Sequence, residues 1–537
     1  MTYVSRTLSA LILLVTISSL TASAQQAAPA GPQQAVVPPA PPASQTQIDR
    51  YVVGQARPPV VEGSDLIELT LEQAVLIALE HNLDLKVARM NPVLQDYNVK
   101  SLRAAFKPRV TGSYSYSNSA TPSNNTTEGV ETLINVSQGF NGGLSQTLPW
   151  FGSSVSANWT NSRASTNNQT ARLNPSYNTG LSFNYSMPLL NGFKIDSTRN
   201  SIRTSAVTTQ IVDIQLLTTI ENTKNSIRTS YWQLRSAIEQ IEIQRRALDL
   251  AKKSHADALT KIEIGTAASI DAVTFETQEA QADQSYLAAQ IAWRTAELNF
   301  KRLLVSGTDD ELYRKTINPT DRPTLTVTSV DIQAGVTKAL AERTDVIISR
   351  KNLEVSRMNL DVTRGALMPS LSMSAGYSAS GQGGTSFIGG VVTPGGYPDA
   401  LGNMFDLNTP RWNLGFNFNI PIGQIAEKAA YARALIGIDQ ANVQLKVQEL
   451  TVSTAVINAG LNVENSYKLY QAAVKSREAA ERNADAAQVR FDNGLLTNFE
   501  VVTAQNTLTN ARLSELTRII AYINAIAEYE RVQKIGG

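Results

Sequence analysis

Side chains that could do chemistry are few and lie far apart in the sequence. The 537 residues include no Cys and only two His, His81 and His255, which stand in different helical stretches. The sequence carries no metalloprotease, nucleophile-elbow, P-loop or dinucleotide-binding signature. The acidic run 309–311 is typical of a solvated loop. We therefore predict no enzyme activity, no metal site and no cofactor, and the net charge of +1 does not favour a nucleic-acid partner.

Two carboxylates nevertheless lie at the same spacing from a preceding glycine. Asp271 follows Gly265 by six residues, and Glu500 follows Gly494 by the same six. Glycine permits the left-handed backbone of a tight turn. Both carboxylates should therefore lie in the first turns of a helix that begins after a chain reversal. A negative charge there interacts favourably with the helix dipole, which is an ordinary structural role.

These matching places belong to an internal duplication that spans most of the chain. One ungapped alignment has an offset of 261 residues, and a second has an offset of 229. Proline and glycine positions agree in both, which indicates two copies of one structural plan. The aligned pairs include Asp84 with Asp345, Pro108 with Pro369, Gly265 with Gly494, Val273 with Val502, and Arg302 with Arg531.

The duplication and the composition predict the domain boundaries. The first 24 residues have a positive start at Arg6, a short apolar run and the small-residue site Ala22-Ser23-Ala24, which is typical of a secretory signal peptide. The predicted segments are the signal peptide at 1–24, a Pro/Ala/Gln-rich disordered lead-in at 25–64, a first repeat at 65–304, a connector at 305–330 and a second repeat at 331–533.

In each repeat the spacing of apolar residues changes from a helical period to a period of two residues and back again, with a proline at each change. The stretch 412–420 reads WNLGFNFNI, in which apolar and polar residues alternate. Alternation places the two sets on opposite faces of a sheet, as in a membrane barrel with lipid outside and water inside, although a soluble sandwich alternates in the same way. The predicted helix-to-strand junctions are Pro108, Pro188, Pro369 and Pro421, and they bound β segments at 108–188 and 369–421.

The first β segment is longer than the second. Residues 139–161 form an additional hairpin with a short turn at 149–152. This hairpin could contribute two more membrane strands or lie against the rim of a barrel.

The remaining sequence predicts long rods. Apolar residues in the stretch 196–262 follow the heptad spacing of coiled coils, and about 67 residues at 1.5 Å each make a rod of roughly 100 Å. A matching rod is predicted at 425–491, return helices at 269–304 and 498–533, and lead-in helices at 70–104 and 331–364. A return helix and a lead-in helix stacked end to end would match the length of a rod. The predicted seam residues are Ile227, Tyr231, Leu234, Ile238, Ile241 and Leu248.

One chain with these rods has no closed core of its own. A ring of identical subunits would cover the open faces of the rods and join the edges of the sheets. We therefore predict an α+β membrane protein, in which a duplicated α-barrel of long helices continues into a membrane β-barrel and a closed ring of identical subunits completes both.

The ordered, duplicated pattern resembles the TolC-type outer-membrane efflux channel family over about residues 65–533. The resemblance rests on the helix–proline–strand order and on two hairpins, KIEIGTAASIDAVTFE at 261–276 and RFDNGLLTNFEVVTAQ at 490–505. It implies a homotrimer with a 12-stranded barrel in outer-membrane lipid and a 12-helix tunnel across the periplasm. It also implies docking on a periplasmic adaptor that connects to an inner-membrane pump or exporter. The additional hairpin departs from the family pattern, and 18 strands would result if it joined the barrel.

The resemblance also assigns candidate site residues. It implies that acidic side chains narrow the periplasmic entrance, and that a Tyr and an Arg latch neighbouring helices, whereas this chain has Phe491 and Leu496 at those places. Neither side chain can make the polar bonds of such a latch, so we expect a weaker or differently held gate. The candidate entrance residues are Asp271, Phe491, Leu496, Glu500 and Thr503, and the candidate adaptor-docking tips are Ile264, Gly265, Thr266, Ala267, Asn493, Gly494 and Leu495.

The predicted function is a passive exit duct in the outer membrane of a Gram-negative-type bacterium, with a large periplasmic portion. It would serve a tripartite efflux system or a type I secretion system, and the sequence leaves the cargo, the adaptor and the pump open. The alternative is a structural or adhesive coiled-coil protein displayed on the cell surface, which would conduct no ions.

Overall fold

Long helices and one antiparallel sheet make up the part of the chain that the computed structural model describes, namely residues 53–59, 65–265, 269–323, 325, 330–388, 391–406 and 409–533. The helices are α1 (Leu71–His81), α2 (Leu83–Arg103), α3 (Ser197–Glu263), α4 (Ser269–Leu304), α5 (Glu311–Arg314), α6 (Ile332–Glu342), α7 (Thr344–Ala366), α8 (Tyr397–Phe405), α9 (Ile425–Asp492) and α10 (Asn498–Gln533). The strands are β1 (Leu66–Leu69), β2 (Arg109–Pro122), β3 (Thr132–Thr147), β4 (Ser154–Thr166), β5 (Leu173–Pro188), β6 (Thr316–Pro319), β7 (Ser370–Ile388), β8 (Val391–Thr393) and β9 (Pro410–Asn419).

The first helix of each half begins at the residue that the sequence indicates. The Thr70 side chain accepts from the backbone N–H of Gln73 while the Gln73 side chain accepts from the Thr70 N–H, which completes a capping box at α1. Asp331 caps α6 by accepting from the Ala334 N–H at 3.0 Å. These local hydrogen bonds satisfy backbone donors that would otherwise have no partner at the start of a helix.

The heptad seam of α3 is the most deeply buried stripe of the first half. Ile227, Tyr231, Leu234 and Ile238 are fully buried, and the two following seam residues are at most 5% exposed, which confirms the predicted packing. In the second half a separate apolar cluster joins α6, α7, α9 and α10 around Tyr522.

The lead-in helices are not continuous, and the predictions of single helices at 70–104 and 331–364 are wrong in this respect. The first breaks at Asn82 and the second breaks at the matching position, Arg343. The Asn82 side chain caps α2 and donates to the Leu303 carbonyl at the end of α4 (3.0 Å). Arg343 likewise donates to the Val532 carbonyl at the end of α10 (3.4 Å). Each break is therefore where a return helix meets α2 or α7, and α1 and α6 pack beside α3 and α9 instead of lengthening the rod.

The sheet has six long antiparallel strands in the order β2-β3-β4-β5-β7-β9, and the short β8 pairs with the far end of β7. The additional hairpin predicted at 139–161 forms parts of β3 and β4. β3 pairs with β2 along all of Arg109–Pro122, and β4 pairs with β5. The hairpin therefore belongs to the sheet and does not lie against its rim.

The turn between β3 and β4 lies against the junction between β5 and α3. It places Phe151 and Gly152 at positive φ (56° and 64°), and the Phe151 ring stacks on Phe193 with 4.8 Å between the centroids. A Cβ on Gly152 would lie 2.9 Å from the carbonyl oxygen of Gly192, so this close approach requires glycine.

Two short strands were not predicted from the sequence. β1 pairs in parallel with β6, which lies inside the stretch 305–330 predicted as a connector. The buried Tyr231 hydroxyl donates to the Leu69 carbonyl (3.1 Å) and accepts from the Asp321 N–H (3.0 Å), so α3 holds this pair of strands at mid-length.

The prediction of a disordered lead-in is wrong for its residues 53–59. Glu239 Oε1 accepts from the N–H groups of Gly54 (2.9 Å) and Ala56 (3.3 Å) and pairs with Arg235 at 2.8 Å. Arg235 in turn donates to the carbonyls of Ala56 and Pro319. A buried ion pair on α3 therefore binds this segment, which we name the strap. The signal peptide predicted at 1–24 lies outside the described residues.

Among the described residues, no helix combines the length and the apolar character needed to cross a membrane.

The buried ion pair gives a test of the strap. We expect Glu239→Gln to leave the Arg235 charge unpaired and to cost roughly 3–5 kcal/mol, because uncompensated buried charge is strongly unfavourable. The measurement is the thermal midpoint of the purified protein. Asp361→Asn is the control, since its pair with Arg203 spans 3.4 Å and is more than half exposed. Equal midpoints for the two variants would contradict the assignment.

Candidate functional site

The periplasmic-tip candidates lie where each long helix reverses. Gly265 and Gly494 have φ of 74° and 71°, so both occupy the left-handed region that the sequence indicates. The Gly265 N–H donates to the Ile262 carbonyl and the Gly494 N–H donates to the Phe491 carbonyl, each at 2.9 Å. Two predicted tip residues, Thr266 and Ala267, lie outside the described residues.

Both turns carry exposed apolar side chains. Ile264 is 68% exposed and Leu495 is 76% exposed, whereas Leu496 is half-buried. Ile270 and Phe499, at the starts of α4 and α10, are also exposed. Apolar groups left in water at the end of a rod are typical of a surface that another protein covers.

Glu500 takes the structural role of a helix cap within one chain. Its carboxylate accepts from both the N–H and the hydroxyl of Thr497, each at 2.9 Å, and these bonds hold the pKa of Glu500 below its usual value. Glu500 is fully exposed and therefore ionised at neutral pH. Asp271 lies in the first turn of α4, and its side chain is outside the description.

Phe491 joins the two repeats near the tip. Its ring lies edge-on to the buried ring of Phe275 on α4, with 6.4 Å between the centroids. The Lys261 ammonium lies 4.0 Å from the centroid of the Phe491 ring, which is a cation–π contact. Phe491 thus holds two helices of the first repeat, α3 and α4, to α9.

A polar contact adds to this link one helical turn further along. The Gln278 side chain on α4 and the Asn506 side chain on α10 exchange hydrogen bonds of 2.8 and 3.3 Å. Thr503, by contrast, donates within its own helix to the Phe499 carbonyl. We define the tip clasp as Lys261, Phe275, Gln278, Phe491 and Asn506.

A network of charged residues that was not identified from the sequence joins α9 and α10 further from the tips. Arg477 on α9 pairs with Glu481 and with Glu515 on α10, each at 2.7 Å, and Arg512 pairs with Glu481 at 3.2 Å. Burial raises the pKa of Glu515 above its usual value, and the Arg477 charge opposes this shift. The signal available in the sequence was that charged residues are interspersed with alanines at 472–487, but this pattern does not identify partners on another helix.

The four junction prolines lie at the borders between helix and sheet. Pro108 and Pro369 directly precede β2 and β7, Pro188 is the last residue of β5, and Pro421 follows β9 by two residues. Proline suits these positions because it lacks the N–H that a continuing helix or ladder would use.

The two faces of the sheet differ in chemistry. One face carries Val110, Leu144, Phe183, Tyr377 and Trp412, all exposed. The other face carries mainly Ser, Asn, Thr and Gly, and its side chains bond across strands, as in Asn141 to Ser113 at 3.3 Å. An exposed apolar face with a polar opposite face suits lipid on one side and water on the other. Such a sheet, continued by long paired helices, defines a channel-forming protein of the outer-membrane type.

Comparisons with known proteins give the same result. The family model described as "Outer membrane efflux protein" matches residues 143–305 and 335–527. The chain belongs to this outer membrane efflux protein family. It is 21% identical over 475 residues to the outer membrane efflux protein BepC of Brucella suis biovar 1 (strain 1330), which covers 85% of this chain and 83% of BepC.

Solved structures share the fold. The CmeC outer membrane channel of Campylobacter jejuni has a TM-score of 0.62 at 17% identity and covers 87% of this chain and 86% of its own. The outer membrane protein VceC of Vibrio cholerae has a TM-score of 0.62 at 13% identity, with coverages of 87% and 96%. The open state of the MtrE outer membrane channel of Neisseria gonorrhoeae has a TM-score of 0.58 at 16% identity, with coverages of 91% and 97%.

The tip clasp can be tested at Phe491. Because Phe491→Ala removes the contacts with Phe275 and Lys261, we expect local opening of the tip to become easier by roughly 1–2 kcal/mol. The measurement is hydrogen exchange of peptides covering 486–496, which should accelerate about tenfold. Val489→Ala is the control, since Val489 is 61% exposed on the same helix. Unchanged exchange in Phe491→Ala would contradict the role of the clasp.

Proposed function

We propose that three copies of this chain form the exit duct of a tripartite efflux or type I secretion system. The duct passes substrates passively across the periplasm and the outer membrane, and an inner-membrane pump or exporter supplies the energy. The observation that most strongly supports this proposal is the structure of the sheet. It is apolar on one face and polar on the other, and within the described residues its outer strands β2 and β9 each pair along one edge only.

Those two edges can close on each other between copies. Six successive strands all run antiparallel to their neighbours, so β2 and β9 run in opposite directions. β2 of one copy can therefore pair antiparallel with β9 of the next, with the apolar faces continuous. Three copies of six strands make 18 strands, and barrels of that size enclose a water-filled channel.

The opposite end of the rods is proposed to dock on a periplasmic adaptor. The exposed apolar side chains of Ile264 and Leu495 at the two turns supply the surface. The tip clasp holds the hairpin α9–α10 against the hairpin α3–α4 within one copy, so opening the entrance requires its contacts to loosen.

Pairs of introduced cysteines test edge pairing and conduction together. Because the chain has no native Cys, any disulfide must join the introduced residues. Ser115→Cys in β2 is combined in turn with Asn413→Cys, Gly415→Cys and Asn417→Cys in β9. Oxidation should link three chains in at least one combination, because adjacent strands bring Cβ atoms within disulfide distance. Ser115→Cys with Ser182→Cys is the control, since β5 is already paired on both sides.

The same protein is then measured in a planar lipid bilayer. The duct predicts a stable ion conductance that survives the covalent link between β2 and β9. A covalently linked trimer without any conductance would favour a surface-displayed structural protein, and a monomer that needs no detergent would overturn the proposal.

Glu500 tests the electrostatics of the entrance. Three copies of Glu500 around one axis would attract cations. Gln keeps the carbonyl oxygen that accepts from Thr497 but removes the charge, so Glu500→Gln should lower the cation preference roughly twofold with the helix cap preserved. The measurement is the reversal potential in a salt gradient. Glu311→Gln on the connector is the control. Equal reversal potentials for the two variants would contradict the proposal that Glu500 lines the entrance.

A further inference from the structure

A short helix lies on the sheet in the connection that precedes its last long strand. α8 (Tyr397–Phe405) stands in the connection from β7 and β8 to β9, at the end of the sheet that is remote from the rods. It packs on β7 and β5 with Ala400 and Met404 fully buried, and the Met404 sulfur lies 3.7 Å from the Thr179 hydroxyl.

The contacts identify which face of the sheet α8 covers. Side chains along a strand alternate between faces, so Thr179 shares a face with Leu181 and Phe183 of β5. Gly381, which α8 also contacts, shares a face with Tyr377 of β7. Leu181, Phe183 and Tyr377 belong to the apolar face. α8 therefore lies on the apolar side of the sheet and not on the polar side that would line a pore.

Two glycines allow the helix to approach the sheet closely. A Cβ on Gly381 would lie 1.9 Å from the Ala400 carbonyl oxygen, and a Cβ on Gly383 would lie 2.3 Å from the Gly396 carbonyl oxygen. Neither position could carry any other residue without displacing α8. The glycines interrupt the apolar row of β7 where the helix takes over its covering role.

The sheet beneath α8 carries polar groups that would be costly against hydrocarbon. Asn161 Oδ1 accepts from the hydroxyl groups of Thr179 (2.7 Å) and Tyr397 (2.6 Å), while the Asn161 amide nitrogen donates to the Phe140 carbonyl (3.1 Å). The Trp159 indole N–H donates to Thr179 (3.2 Å). Asn161 and Thr179 are buried, so α8 both shields this polar cluster and satisfies part of it.

The outer surface of this region carries both apolar and polar groups, because α8 exposes Asp399, Asn403 and Asp406 as well as Phe405. Phe405 at the end of α8 is 69% exposed, and the neighbouring hairpin of β7 and β8 exposes four more large apolar side chains. These exposed residues are Phe387, Ile388, Val391, Val392 and Phe405. Of these, Phe387 shares a face of β7 with Tyr377 and continues the apolar face towards the outer end of the sheet, whereas Ile388 lies on the opposite face.

We propose that α8 is an interfacial helix on the lipid-facing wall of the barrel, and that Phe405 inserts into the outer boundary of the bilayer. The helix buries its apolar side on protein and exposes Phe405 among polar side chains, and this mixture suits the border between acyl chains and headgroups. Continuity with the apolar face of the sheet favours lipid over a protein partner. The proposal rests on the barrel of the proposed function, and the experiment separates the two.

The test uses single cysteines labelled with an environment-sensitive nitrobenzoxadiazole probe, in phosphatidylcholine vesicles with and without nitroxide-labelled lipid. Phe405→Cys is compared with Phe416→Cys on the apolar face of β9 and with Ser378→Cys on the polar face of β7. We expect nitroxide lipid to quench the probes at 405 and 416 at least about twofold more than iodide does, and the reverse at 378.

The outcomes are distinct. A probe at 405 that iodide quenches, while the probe at 416 responds to nitroxide lipid, would overturn the interfacial helix and leave the barrel intact. Failure of nitroxide lipid to quench the probe at 416 would overturn both, since no face of the sheet would then contact lipid.

A second variant tests the close approach. Gly381→Val should displace α8, so the probe at 405 should lose its protection from iodide while the probe at 416 keeps its response. Gly437→Val is the control, because a Cβ at that position in α9 would meet no neighbouring side chain or other element within 4 Å. Unchanged quenching at 405 in Gly381→Val would contradict the packing of α8 on the sheet.

Discussion

Hydrocarbon offers no hydrogen-bond partner to a backbone N–H or C=O group, and this constraint governs the whole molecule. A chain that contributes only part of a barrel must present two edges whose directions and faces fit a neighbouring copy. Here the six-strand sheet ends in β2 and β9, which run in opposite directions and share one apolar face. The even number of strands keeps the order antiparallel around a closed ring. The hairpin β3–β4 can be added without breaking closure because it contributes two strands.

The helical part meets a related constraint, since every helix end leaves backbone groups without partners. At the break between α1 and α2 the chain resolves it by using one side chain for two helix ends. Asn82 caps α2 and also binds the last turn of α4, whereas Arg343 binds the last turn of α10 and makes no side-chain cap on α7. The duplication thus preserves the position and its bond to the return helix, but only the amide also caps the following helix.

Features that depend on neighbours in sequence were predictable, and features that depend on distant partners were not. The heptad seam around Ile238, the capping box at Thr70 and the glycine turns arise from local periodicity and local hydrogen bonds. The pairing of β1 with β6 joins residues 250 positions apart, and four residues are too few to display a strand rhythm. Phe491 was recognised as unable to form a polar latch, yet its contact with Phe275 needs both repeats in place. For α8, the start at Gly396-Tyr397-Pro398-Asp399 carries a helix-start signal that the surrounding polar residues concealed.

The parallel pair β1–β6 also determines the order in which the molecule can mature. Its two partners are separated by the entire first repeat, so contact order is high, and such pairings form late because a long loop must close first. The hairpin α3–α4 can form early, but the strand pair packed against its middle forms only once residues 316–319 are available. The strap binds beside that pair, because Arg235 donates to the carbonyls of both Ala56 and Pro319. The first repeat is therefore completed only after all of it and the first part of the connector have been synthesised.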